Sequence, residues 1–204
     1  MAETAPVVDF GFASVRVPQG SHICQIYSTN SERERALLEF IACGLAAGDA
    51  TACFSDAFDA SRSAAWFSSV GLSLASECDK GRFLSAGAEA SYFKDDYFDP
   101  ERMLAMLAEF HENSVLTKCN GARVIGEMSP RITRVAGGSR LLEYEGHVNS
   151  LLRDHPVTAV CQYDARAFDG ATIMDVLSVH PLMFIHGSVM QNPFFVAPEE
   201  LIRH

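Results

Sequence analysis

The segment SHICQIYSTNSERERALLEFIACGLAAG, residues 21–48, changes period in its middle. His22 to Tyr27 is a short, mostly apolar run of strand length. From Ser31 onward Ala36, Leu37, Leu38, Phe40, Ile41 and Leu45 recur at helical spacing. Ser31 with Glu34 three residues on has the pattern of a capping box, and Gly44 and Gly48 mark the helix end. The segment is a strand feeding a helix. In an open α/β sheet such a turn lies at the crevice beyond the carboxyl ends of the strands, and glycine-rich turns there offer backbone N–H groups to phosphate. This turn, Ser28-Thr29-Asn30-Ser31-Glu32-Arg33, has no glycine, and Glu32 sets a negative charge where a phosphate would sit. No lysine lies between Tyr27 and Leu45 to meet a phosphate. The position suits a ligand; the chemistry does not suit a nucleotide.

The same alternation continues along the chain. Strands are expected at 50–55, 82–85, 122–126, 157–163 and 182–185. Helices are expected at 58–69 behind Asp56 or Asp59, at 100–116 behind Asp99-Pro100, at 139–154 behind Ser139, and at 169–179. Residues 71–80 read as a connector. Residues 86–99, with Tyr92, Phe93 and Tyr97, read as a long loop and a candidate lid. Residues 1–19 read as an N-terminal arm and 20–204 as one domain. In its tail, 187–204, Phe194 and Phe195 would anchor the chain and a short helix would start at Glu199. Strands alternating with helices define an α/β class: three layers, with a mostly parallel central sheet flanked by helices.

Composition sets limits on partners. With 16 Lys+Arg against 26 Asp+Glu, a formal charge of −10, neither a nucleic-acid surface nor an anionic-membrane patch is expected. The N-terminal residues lack the basic start and apolar core of a secretory signal, and no run approaches the ~18 apolar residues of a membrane span, so a cytoplasmic location is expected. Six scattered cysteines without a CxxC pair read as reduced thiols.

His22-Ile23-Cys24-Gln25-Ile26-Tyr27, Gly126-Glu127-Met128-Ser129, Tyr144-Glu145 with Asn149, Cys161-Gln162-Tyr163-Asp164, His180-Pro181 and Asn192-Pro193-Phe194-Phe195 with Pro198-Glu199-Glu200 together resemble the MEDS domain. That is the sensory domain named from methanogens, methylotrophs and the dichloromethane-responsive regulator. The resemblance implies a RecA/KaiC-like fold with a degenerate P-loop, and a role in sensing hydrocarbon derivatives or one-carbon compounds. It puts Glu127 where a RecA-like ATPase would carry its Walker-B acid. It departs after the Gly126–Ser129 segment, where Pro130-Arg131-Ile132 stands in place of an expected aromatic, so ligand identity is not carried over.

Strand ends and resemblance together nominate His22, Cys24, Tyr27, Glu127, Met128, Tyr144, Glu145, Tyr163, Asp164 and His180 as ligand-binding residues. No catalytic residue and no cofactor is assigned. His22, Cys24, Cys161, Tyr163, Asp164 and His180 carry donors suited to zinc or iron, yet i, i+2 residues of a buried strand share a face for packing alone, so no metal is assigned. Cys24 or Cys161 with His22 as base would need an orienting third group, and a buried structural thiol is the commoner fate. The functional expectation is a non-catalytic sensory domain. It would bind a small, largely apolar molecule at the carboxyl rim of the sheet and signal in trans to a partner protein, a kinase or a transcription regulator. A homodimer is compatible with the sequence. The rivals are a residual nucleotide-binding or ATPase module and a pure interaction module.

Overall fold

In the computed structural model, which describes residues 6–13 and 15–197, an antiparallel ribbon of β1 (Val7–Val8) and β2 (Val17–Pro18) precedes the first βα unit, β3 (His22–Tyr27) and α1 (Asn30–Ala46). The chain continues through β4 (Ala50–Phe54), α2 (Ala60–Ser69), α3 (Leu74–Asp79), β5 (Phe83–Ala86), α4 (Ala88–Ser91), α5 (Pro100–Leu116) and β6 (Ala122–Glu127). It ends with α6 (Leu141–Asp154), β7 (Val157–Asp164), α7 (Gly170–Ser178), β8 (Leu182–Ile185) and β9 (Ser188–Gln191). The seven-stranded sheet has the order β5-β4-β6-β7-β3-β8-β9, and every pair is parallel except β8 with β9.

The two faces of the sheet carry separate cores, which makes the expected three layers. Ala36, Leu37, Phe40, Ile41 and Leu45 of α1 pack with Phe67 of α2, Leu74 of α3 and the N-terminal Phe10 and Phe12 on one face. On the other face Met103 and Leu107 of α5, Tyr144 and Val148 of α6 and Val176 of α7 pack over β3, β6 and β7. Phe10 and Phe12 stack within 5.5 Å of each other, and Phe12 meets Phe184 of β8 edge-on at 4.6 Å. The N-terminal residues therefore build one wall of the lower layer.

Local differences from the sequence reading have local causes. Thr29, not Ser31, caps α1: its hydroxyl accepts the Glu32 N–H while Glu32 reaches back to the Thr29 N–H, a complete capping box two residues earlier. Gly44 lies inside α1, where a side chain would collide with the Arg123 side chain running beneath it. Residues 71–80 contain a helical turn, α3, capped by Ser73. The helix after Gly137 starts at Leu141, behind a 3-10 turn that holds Ser139.

Residues 86–99 are not a lid: α4 and a 3-10 turn at Lys94–Asp96 fold them down, Tyr92 and Phe93 are buried, and Arg131 clamps them by pairing with Glu89 and Asp96 over the Phe93 ring. An added strand, β9, follows β8 through His186-Gly187. Both residues have positive φ, as a two-residue type I′ hairpin requires. Phe194 is exposed and Phe195 half-buried, and the tail is tied also by Asn192, whose amide donates to the Leu177 and His180 carbonyls at 2.6 and 2.8 Å. The helix expected at Glu199 lies outside the described residues.

At the amino end of the sheet Arg123 of β6 is almost fully buried. Its guanidinium donates to Asp49 and, at 2.8 Å, to the Asp9 carbonyl, and it lies over the Phe40 ring at 5.3 Å. One cation thus joins β6, the end of α1 and the N-terminal wall. Replacing it with Met leaves the Asp49 carboxylate buried without a partner, and a loss of ~3–5 kcal/mol is expected in urea unfolding. Combining Arg123→Met with Asp49→Leu is expected to recover most of that loss. Equal losses in the single and double variants would show that the ion pair is not the cause.

Candidate functional site

At the carboxyl rim Glu127, the last residue of β6, is the meeting point of three elements. The Tyr27 hydroxyl at the end of β3 donates to its Oε1 at 2.7 Å, and Arg33 from the first turns of α1 donates to the same oxygen at 3.3 Å. The Ser55 hydroxyl, just beyond β4, donates to Oε2 at 2.5 Å. All three are side-chain donors, so Glu127 is not merely holding its own loop. Burial first, and then the Glu127 carboxylate, push the Tyr27 phenol far above its ordinary range, which keeps it a donor.

Glu32 closes the neighbouring turn. Its Oε2 accepts the Ser28 N–H at 3.0 Å, the Thr29 N–H at 3.1 Å and the Ser28 hydroxyl at 3.1 Å. The Ser28 N–H, foremost among these donors, holds the Glu32 carboxyl below the usual range. The N–H groups that a phosphate would need are already engaged by a built-in anion. Asp164, at the end of β7, turns to Arg166, which in turn reaches Asn30 at 2.8 Å. Beside these groups a groove of about 460 Å³ opens over the carboxyl ends of the paired strands β3 and β8, against α1, walled by Phe12, Ile26, Ala36, Phe184 and Ile185 and rimmed by Ser28, Glu32 and Arg35.

The other nominated residues gather elsewhere. Glu145 on α6 is fully buried against the sheet, not on a solvated helix face, and Tyr163 of β7 donates to its Oε1. Its Oε2 lies 3.3 Å from His22 Nε2, 3.6 Å from His180 Nε2 and 3.7 Å from the Cys161 sulfur. Burial raises the Glu145 carboxyl, but His180, His22 and Tyr163 outweigh it and hold it below its ordinary value. Burial, then the adjacent His22, bring His180 down to about 4, so its ring is neutral near pH 7. Burial and Glu145 push the Cys24 and Cys161 thiols well up, which works against a nucleophilic role for either.

Seven of the ten nominated residues thus fall into two sites on different levels of the fold. Tyr27, Glu127 and Asp164 lie at the rim, whereas His22, Tyr163, His180 and Glu145 lie under α6 and α7. Tyr144, Cys24 and Met128 are packed in the upper core. Sequence reading missed Arg33, and it missed the groove walls Phe12 and Phe184, because they come from opposite ends of the chain. The Thr29-x-x-Glu32 pattern was a visible signal for the closed turn.

A parallel α/β sheet with its crevice at the first βα turn, and with that turn filled by its own carboxylate, defines a RecA/KaiC-like domain whose phosphate-gripping position is closed. The model of the MEDS family, the "MEthanogen/methylotroph, DcmR Sensory domain", matches residues 21–181, and the chain belongs to that family. Among solved structures it is similar to a KaiC-like protein from the hyperthermophilic archaeon Pyrococcus horikoshii OT3, at TM-score 0.62 and 13% identity over 88% of this chain and 79% of that one. It is also similar to the flagellar accessory protein FlaH of Methanocaldococcus jannaschii, at TM-score 0.60 and 10% identity over 89% of this chain and 82% of that one. At these identities the likeness is one of fold. No curated protein matches the chain.

Glu127→Gln tests the rim network. The amide turns an NH2 donor toward groups that are themselves donors, and a loss of ~1–3 kcal/mol is expected in thermal or urea unfolding. An unchanged midpoint would show that Tyr27, Ser55 and Arg33 do not depend on the carboxylate.

Proposed function

We propose that this chain is a non-catalytic sensory domain that takes a small, largely apolar molecule in the groove over the carboxyl ends of β3 and β8 and reports its presence to a partner protein, a kinase or a transcription regulator. The observation that carries this reading is the pairing of that groove with the closed turn beside it. Its walls are Phe12, Ile26, Ala36, Phe184 and Ile185, while the backbone N–H groups at Ser28 and Thr29 are committed to Glu32. A volume of about 460 Å³ falls in the range of small-molecule sites. Membership of a sensory-domain family supports the same reading. The β8–β9 hairpin is the natural moving part, since β8 is held to β3 by three register pairs whereas β7 is held by six. A ligand that prefers one position of that hairpin shifts its population by its differential affinity.

A nucleotide-binding reading requires Glu32 to leave the turn. Titration calorimetry with ATP and magnesium is expected to give no binding heat. Titration with dichloromethane or toluene, followed by amide NMR, is expected to move resonances of Ala36, Phe184 and Ile185. Ala165 is exposed at the groove mouth, so Ala165→Trp is expected to fill the space without unfolding the chain and to weaken such binding at least ~10-fold, about 1.4 kcal/mol. Saturable ATP binding, or probe-induced shifts that survive Ala165→Trp unchanged, would refute the assignment.

A further inference from the structure

The cluster under α6 and α7 has an unsatisfied arrangement of lone pairs. The Asn149 amide nitrogen donates to the Val179 carbonyl at 2.7 Å and to the Glu145 carbonyl at 3.4 Å, which fixes the Asn149 oxygen toward His22 Nδ1 at 3.1 Å. His22 Nδ1 must therefore carry a hydrogen. His180 Nδ1 faces the Val176 carbonyl at 2.8 Å and must carry one too. With a hydrogen on Nδ1, the remaining nitrogen of each ring is Nε2, and both Nε2 atoms lie against the same oxygen of Glu145. The Cys161 sulfur completes the group, 3.4 Å from His22 Nε2. His180 Nε2 is buried and has no hydrogen-bond partner among the described residues. A single proton placed on one ring would still leave the other ring facing a carboxylate through its lone pair.

The spacing fits a different occupant. Bonds of ~2.0–2.1 Å to imidazole nitrogen or carboxylate oxygen and ~2.3 Å to thiolate sulfur set tetrahedral neighbours ~3.3 Å apart, or ~3.6 Å where one is sulfur. The observed separations are 3.3 and 3.6 Å between each imidazole nitrogen and the carboxylate oxygen, and 3.4 and 3.7 Å from sulfur to nitrogen and to oxygen. All four atoms lie within 4.8 Å of one another. The surroundings are those of a ligand set with its outer atoms already tied. Asn149 orients His22, the Val176 carbonyl orients His180, and the Tyr163 hydroxyl holds the second oxygen of Glu145.

We propose that His22 Nε2, His180 Nε2, Glu145 Oε2 and Cys161 Sγ bind one first-row divalent transition-metal ion, zinc foremost. Two nitrogens, one oxygen and one thiolate form a borderline-soft donor set that suits zinc rather than magnesium or calcium. Four protein donors leave no open position, so the site is a structural one. It staples β3, β7 and α6 to the segment between α7 and β8. Binding replaces the Cys161 proton with the metal and releases that proton to solvent. The proposal is independent of the rim groove, and either can fail without the other.

The test uses the full chain, reduced and purified without a nickel column. Elemental analysis is expected to find about one zinc or iron per chain, either as isolated or after zinc is returned to chelator-treated protein. Cobalt substitution is expected to give tetrahedral d–d bands and a thiolate charge-transfer band. Cys161→Ser is expected to remove the charge-transfer band while circular dichroism stays native. His180→Ala is expected to lower metal content at least ~10-fold, and Tyr163→Phe, which touches no metal, to weaken zinc affinity ~10–100-fold. Should His180→Ala fail to fold, the cobalt spectrum of Cys161→Ser decides. Failure to take up zinc, iron or cobalt stoichiometrically would overturn the site, and so would a cobalt spectrum that Cys161→Ser leaves unchanged.

Discussion

A carboxylate with no access to water sits at the middle of this molecule, and its neighbours are arranged to answer it. Glu145 is fully buried on α6. Taking such a charge out of water costs several kcal/mol even after relaxation, so it survives only where donors or cations converge on it. Here the Tyr163 hydroxyl of β7 donates to one oxygen while the imidazoles of His22 on β3 and His180 beyond α7 close on the other, which makes α6 the element that all of them must be registered against. Helix packing by apolar contact alone would tolerate sliding; a shared polar centre does not, because any displacement leaves Glu145, Tyr163 or a histidine unmatched.

The opposite solution governs the rim. Glu32 is exposed and Glu127 only partly buried, and each is satisfied by neutral N–H or O–H donors, with Arg33 the one cation in contact with Glu127 among the described residues. The turn after β3 keeps the backbone geometry of an anion site and fills it with a side chain of its own. A fold whose open turn would grip phosphate becomes, with one glutamate three residues along, a turn that caps its own helix. The groove over the ends of β3 and β8 offers mainly apolar surface beside it, and that changes the kind of molecule this part of the crevice can hold.

The strands and most helices were legible because their period and caps are local: Asp99-Pro100 starts α5 and Asp169 starts α7 as the sequence implies. The α1 cap was misplaced by two residues because Thr29-x-x-Glu32 and Ser31-x-x-Glu34 both fit the same pattern, and only the backbone at Thr29, extended rather than helical, decides between them. β9 was missed because its hairpin turn is His186-Gly187, a weaker signal than Asn-Gly. The larger error lay in treating strand ends as if all their side chains faced the rim. Alternation along β7 sends Tyr163 under α6 while Asp164 stays at the edge, so residues adjacent in sequence serve separate sites. Arg123 with Asp49 could not be read as a pair, since 74 residues separate them.

The two central strands explain why both sites can share one small sheet. Strands buried on both faces of a parallel sheet are ordinarily near-continuous apolar runs. β3 and β7 instead hold His22, Gln25, Thr158 and Gln162 with almost no exposure. The Gln162 amide donates to Gln25 at 2.8 Å and to the Arg33 carbonyl at 3.2 Å, on the α1 side of the sheet, while His22 and Cys161 serve the α6 side. Each buried polar group that lacks a partner costs ~1–3 kcal/mol, so a chain selected for stability alone would place valine or isoleucine at these positions. Their concentration on two adjacent strands, in register from His22–Ala159 to Tyr27–Asp164, ties the buried polar centre and the open rim to a single rigid ladder. Rigidity in that pair leaves the β8–β9 edge as the wall of the groove with the fewest bonds to it.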